Sequence, residues 1–141
     1  DYAHTPDALA TALAALRPAA TGKLAVLFGC GGDRDTGKRA EMGRIANTDA
    51  DQIFITDDNP RTEDAASIRA AIISGCPNAI EIANRDKAIA AALSSVGSGD
   101  VLLIAGKGHE TFQLVGNESL PFDDAAIASH LMMQMQKEAV K

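Results

Sequence analysis

The chain has 141 residues, 46% of them hydrophobic and 23% charged, with no tryptophan; that is the size of one domain with an ordinary globular composition. Its formal charge of −6 has the wrong sign for a phosphate-backbone binder and argues against nucleic acid as a partner. No apolar run reaches the roughly 20 residues a membrane helix needs, and no secretory leader pattern is present, so a cytoplasmic protein without membrane contact is expected.

Cys30 and Cys76 stand far apart and in no metal-ligand spacing, which reads as two reduced, packed thiols. No second histidine lies near His109 at ligand spacing, so no metal site is expected. The opening Asp1-Tyr2-Ala3-His4 lacks an initiator Met, as expected of a domain excised from a longer chain.

In chain order, Thr5-Pro6-Asp7 has the form of a helix start: an N-cap hydroxyl, proline at the first helical position and an acid favourable to the dipole. An Ala/Leu-rich helix follows to about Arg17. Lys23 to Phe28 is a nearly continuous apolar run, as in a strand buried on both faces. A Gly-rich loop from Gly29 to Gly37 leads into a helix from about Lys38 to Thr48. Gln52 to Thr56 is the next strand, closed by Asp57-Asp58-Asn59-Pro60-Arg61. Glu63 to Ser74 reads as a helix, Ala79 to Ile82 as a strand and Arg85 to Ser95 as a helix. Val101 to Ala105 is the most apolar strand, ended by Gly106-Lys107-Gly108-His109-Glu110. Phe112 to Val115 with Gly116-Asn117 predicts a short hairpin, and Asp123 to about Met135 a final helix.

Strands alternating with helices predict an α/β, Rossmann-like, doubly wound fold. The expected sheet is mostly parallel, with about six strands, flanking helices and a short antiparallel hairpin near the C-terminus. Ligands of such sheets bind beyond the carboxyl ends of the strands. The Gly- and charge-rich loops follow three of those ends, so Arg34, Asn59, Arg61 and Glu110 are expected to meet.

Each loop has more than one reading. From Gly32, the first loop formally matches the phosphate-loop spacing, but Arg39 stands where a magnesium-binding Ser or Thr belongs. The dinucleotide fingerprint lacks its third glycine. The loop is then either a solvated turn or one whose arginine grips a carboxylate, for which a planar guanidinium fork is suited. Asp57 to Arg61 consists of turn formers, yet Pro60 stiffens a segment that presents the Asn59 amide and the Arg61 guanidinium. In the third loop two glycines allow close backbone approach or positive φ, and Glu110 can accept from an ammonium group. Asp1 and His4, taken alone, read as a frayed terminus.

Four strings, Asp1-Tyr2-Ala3-His4-Thr5-Pro6-Asp7, Phe28-Gly29-Cys30-Gly31-Gly32-Asp33-Arg34-Asp35, Asp57-Asp58-Asn59-Pro60-Arg61 and Gly106-Lys107-Gly108-His109-Glu110, together resemble the Mur ligases. Within that family they resemble the diaminopimelate-adding UDP-N-acetylmuramoyl-tripeptide synthetases, and the likeness covers essentially the whole chain. It implies that residues 1–141 are the C-terminal, amino-acid-binding domain, with the UDP-sugar and ATPase domains outside the chain. It further implies that Arg34, Asp58, Asn59, Pro60, Arg61, Gly106 and Glu110 bind meso-diaminopimelate. Asp1 and His4 would lie against ATP. In the implied reaction ATP activates a D-glutamyl γ-carboxylate of UDP-N-acetylmuramoyl-L-alanyl-D-glutamate as an acyl phosphate, and the diaminopimelate amine displaces phosphate. ATP and Mg2+ serve the full-length enzyme, the ion held mainly by the central domain. This domain, expected as part of a monomer, supplies orientation rather than a catalytic residue. The residues alone leave two alternatives: a stand-alone nucleotide-binding Rossmann domain, with Asp57 placed 25 positions after Gly32 near a ribose-binding acid, or a non-catalytic receiver-like module.

Overall fold

The computed structural model describes residues 3–108 and 110–139. Its first helix, α1 (Pro6–Leu16), begins where the sequence says it should: the Thr5 hydroxyl accepts from the Ala8 N–H at 3.2 Å and proline occupies the first turn, which satisfies one of the otherwise orphaned amides. Then follow β1 (Leu24–Phe28), α2 (Gly37–Asp49), β2 (Gln52–Ile55), α3 (Ala65–Ile73), β3 (Ile80–Glu81), α4 (Arg85–Ser95) and β4 (Val101–Ile104). The helices α3 and α4 are capped the same way, by the Asp64 carboxylate on Ser67 N–H and the Asn84 amide oxygen on Lys87 N–H.

Four strands form one parallel sheet in the order β3-β2-β1-β4, with Val26 registered against Ile53 on one side and Leu103 on the other. Successive strand residues face opposite ways, so the continuous apolar run of β1 serves two cores. Leu24, Val26 and Phe28 pack with Leu9 and Leu13 of α1, Met42 and Ala46 of α2, and Ile68 and Ile72 of α3. Leu27 faces the opposite layer, with Phe54, Ala88, Ile89, Ala92 and Leu93. The predicted doubly wound class is what the structure has.

The predicted hairpin, β5 (Phe112–Val115) with β6 (Glu118–Pro121), is antiparallel and stands as a separate ribbon. All six strands found among the described residues thus exist, but only four share the parallel sheet. The reason is local. Leu114 donates its N–H to Asn59 Oδ1 and accepts from the Arg61 N–H, so β5 grips the loop after β2 instead of adding to a sheet edge.

The last helix, α5 (Asp124–Ala139), packs against α4. Its start is fixed by Arg85, only 1% exposed, whose Nε and Nη2 donate to the two Asp124 carboxylate oxygens at 2.7 Å each. The same Nη2 donates to the Ala105 carbonyl. On the other face α2 and α3 meet backbone to backbone. A Cβ on Gly43 would stand 2.1 Å from the Ile72 carbonyl oxygen, and one on Gly75 2.3 Å from that of Ala40. Cys30 and Cys76 are buried free thiols, and burial pushes the Cys30 thiol up to about 11. Among the described residues no helix is long and apolar enough to cross a membrane.

Candidate functional site

From β1 the chain runs outward to β2 and β3 on one side, then returns to lay β4 on the other side of β1. At such a reversal the loops beyond the strand ends diverge and leave a crevice. A cavity of about 320 Å³ opens there, lined by His4, Gly31, Arg34, Lys38, Asp58, Asn59, Arg61, Gly106 and Glu110. Six of the seven residues singled out for substrate binding therefore share one wall system. Pro60 is the seventh and does not line it; buried beneath the loop, it turns its carbonyl to the Glu63 N–H. His4 lies at the cavity rim, where Lys38 Nζ holds its carbonyl at 3.0 Å. Asp1 and His109 lie outside the described residues.

The first two loops are locked together before any ligand is considered. Gly32 donates its N–H to the Asn59 carbonyl at 2.8 Å, and a Cβ on Gly32 would sit 1.9 Å from the Pro60 oxygen; only a glycine permits that approach. Arg39, the residue that spoils the phosphate-loop match, proves to be a buried strut. Its Nη1 and Nη2 donate to Glu63 Oε2 and Oε1 at 2.5 and 2.9 Å, and Nη2 also reaches the Gly31 carbonyl. This fork, with the Asp33 N–H on the same carboxylate, holds Glu63 down to about 2. The Asp33 carboxylate accepts from both the hydroxyl and the N–H of Thr62, and these bonds hold it below the usual range.

Arg61 has φ = 53°, the left-handed region that a bulky residue rarely occupies. The hairpin keeps it there: the Arg61 N–H donates to the Leu114 carbonyl and the Gly116 N–H donates to the Arg61 carbonyl. Its Nη1 donates to the Gly32 carbonyl at 3.0 Å. Gly106, at φ = 106°, lets the chain turn beside the cavity where another residue would be strained. Asp57, weighed as a ribose ligand, is instead taken up by Arg69 at 2.5 Å, and Arg69 also binds Glu81.

Lys107 is the member that sequence reasoning passed over. It is fully buried, and its Nζ donates to Asn59 Oδ1 at 2.9 Å and to the Phe112 carbonyl at 3.0 Å. It also lies 2.9 Å from Asp58 Oδ1, at an angle outside hydrogen-bond geometry, so that oxygen is charge-compensated but accepts no hydrogen bond. A lysine between two glycines gives no periodic signal of burial. Only its contacts with Asn59 and Asp58, on a distant segment of the chain, would have found it.

The cavity is thus doubly signed. Arg34, Lys38 and Arg61 present cations, Asp58 and Glu110 carboxylates. Forked guanidinium groups suit carboxylates, and facing carboxylates suit ammonium groups, so the site matches a zwitterionic small molecule. Among the described residues no group of three or more His, Cys, Asp or Glu side chains gathers where a metal ion could be held.

The family model described as "Mur ligase, glutamate ligase domain" matches residues 1–108. This chain belongs to the Mur ligases. Among its relatives, a Bradyrhizobium diazoefficiens protein named UDP-N-acetylmuramoyl-L-alanyl-D-glutamate--2,6-diaminopimelate ligase is 58% identical over 136 residues, covering 93% of this chain and 28% of the relative. A Caulobacter vibrioides protein of the same name is 58% identical over 126 residues, covering 89% of this chain and 26% of its own length. A solved structure of a ligase with that name superimposes with a TM-score of 0.92 at 39% identity, over 96% of this chain and 29% of the other. This Mur ligase domain therefore spans little more than a quarter of the relatives it matches.

Proposed function

We propose that this chain is the C-terminal, amino-acid-binding domain of a UDP-N-acetylmuramoyl-L-alanyl-D-glutamate:meso-2,6-diaminopimelate ligase (ADP-forming). The observation that carries the reading is the doubly signed cavity, where Arg34, Arg61 and Asn59 stand with Asp58, Glu110 and the Gly106 backbone. The names of the relatives at 58% identity support the choice of amino acid.

Meso-diaminopimelate has an amino-acid group at each end, whereas lysine ends in an ammonium alone. A half-buried guanidinium placed for a distal carboxylate loses that partner when lysine enters, and the lost charge-assisted contact discriminates between the two. In this assignment Arg61, Asn59 and Gly106 take the distal amino-acid end, Glu110 its ammonium, and Arg34 a carboxylate. Asp58 completes the recognition loop, with Pro60 stiffening it from beneath.

The reaction proposed for the whole ligase begins when ATP phosphorylates the D-glutamyl γ-carboxylate. The bound amine then attacks the acyl carbon, its C–O bond to phosphate breaks, and ADP and phosphate leave as the amide forms. Mg2+, when bound, neutralises phosphate charge; the described residues of this chain offer it no ligand cluster, and its ligands are assigned to the central domain. The role left to this chain is to hold the nucleophile in line and to bring the Asp1 and His4 end against ATP, an orientation effect. The enzyme is taken to act as a cytoplasmic monomer in peptidoglycan precursor synthesis.

The test is steady-state kinetics of the ligase carrying this chain, with meso-diaminopimelate and L-lysine as alternative acceptors. Strong preference for diaminopimelate, lost on Arg61→Ala, is the expected result. Equal use of lysine overturns the assignment. Arg61→Ala removes one charge-assisted contact of about 1.5–3 kcal/mol, roughly 10- to 150-fold in kcat/KM.

A further inference from the structure

We infer that Lys107 is a positioning residue for acceptor recognition, acting from behind the cavity wall through Asn59; the inference rests on the reading just given. Asn59 is 5% exposed and its Oδ1 already accepts two hydrogen bonds, one from Lys107 Nζ and one from the Leu114 N–H, both at 2.9 Å. An amide whose oxygen is held by two donors has its orientation decided: the –NH2 is the group left for the cavity. Asn59 therefore enters the site as a donor, which is what a carboxylate ligand requires. Leu114 alone would hold the oxygen by a single bond from a solvent-facing hairpin. Lys107 adds a second, from a side chain with no solvent access.

The same ammonium sits against the neighbouring wall residue. Asp58 Oδ1 is buried 2.9 Å from Lys107 Nζ, while Asp58 Oδ2 lies on the Gly106 side, 3.5 Å from where a Cβ there would be. One cation thus holds the two adjacent recognition residues in register. Its other hydrogen bond, to the Phe112 carbonyl, ties both to the hairpin. An inward charge of this kind is costly unless paired. A methionine would fill the same space, so packing alone does not explain a lysine here.

The test is a double-mutant cycle in the ligase carrying this chain, reading KM for meso-diaminopimelate, KM for ATP, kcat and thermal stability. Lys107→Met is expected to raise the diaminopimelate KM roughly 10-fold or more, the scale of one charge-assisted hydrogen bond, with the ATP KM unchanged. In an Asn59→Ala background the same substitution should raise the diaminopimelate KM by clearly less, because only the hold on Asp58 is then lost. A purely structural lysine would lower stability and leave the diaminopimelate KM unchanged, or raise it equally in both backgrounds; either result overturns the inference. Should Lys107→Met fail to fold, Lys107→Gln removes the charge and shortens the reach to Asn59, and the same non-additivity is expected. If the unsubstituted ligase uses lysine as well as diaminopimelate, the functional reading falls and the inference with it. If it is selective and Lys107→Met leaves the diaminopimelate KM unmoved, the inference alone falls.

Discussion

Glu63 shows how a single side chain can hold two loops in place without touching the cavity. It receives the Arg39 fork and the Asp33 N–H, and these hold its carboxyl down to about 2 from an ordinary 4.5. A depressed folded-state value means stability that is present above the ordinary value and is lost as pH falls through the folded one. Denaturant unfolding followed between pH 7 and pH 2 should therefore show a loss of stability that begins below about 4.5. Glu63→Gln should be less stable near neutrality, and its curve should approach that of the parent toward pH 2. Parallel curves across the whole range would mean that the carboxylate contributes nothing through its charge. Arg39 is the natural companion, because its Nε is already buried without a partner and loss of Glu63 would leave the guanidinium with the Gly31 carbonyl alone.

At the scale of elements, the α2–α3 contact is set by backbone rather than by side chains. Gly43→Ala would bring a methyl group to 2.1 Å from the Ile72 oxygen, so the helices must move apart. Overpacking of this kind costs about 1–3 kcal/mol, and a lower Tm with native-like circular dichroism is the expected reading. An unchanged Tm would mean that the interface is looser than described. Much at this scale was legible in the sequence. Thr5-Pro6 marked the first helix, and apolar runs marked β1, β2 and β4 because parallel strands are buried on both faces. The cavity was legible only in part. Arg34, Asn59, Arg61, Gly106 and Glu110 stand at strand ends, where the fold class alone brings them together. What joins them was not: Arg39, Glu63, Lys107 and Leu114 act through contacts between distant segments. The place of the hairpin was hidden for the same reason. Alternation predicts two paired strands but says nothing of what their free edge will bind.

For the whole molecule, the two cores on opposite faces of one sheet and the Arg85–Asp124 clamp make a scaffold on which the cavity's loops are presented. Presentation is not turnover. On the proposed reading the 141-residue chain alone releases no phosphate when given ATP, meso-diaminopimelate and the UDP-linked dipeptide, whereas the ligase carrying it does. Phosphate release by the chain alone, above the buffer blank, would sink that division of labour. Asp124→Ala tests the scaffold itself. It leaves Arg85 as an uncompensated buried cation, a change that typically costs about 3–5 kcal/mol, measurable as a drop in the denaturant midpoint.

The left-handed backbone at Arg61 carries a consequence for how such a sequence changes over generations. Glycine would sit at φ = 53° without the penalty of about 1–2 kcal/mol that a side chain meets there, and asparagine at less cost than arginine. Folding alone therefore pulls this position away from arginine, and the Nη1 bonds to the Gly32 and Asn59 carbonyls pull back. On the proposed reading, the ligand's carboxylate adds a second pull toward arginine, one that folding does not supply. If Arg61 holds the distal carboxylate as proposed, a lineage that ceased to need that group would be free to lose this arginine, and the fold would gain by losing it.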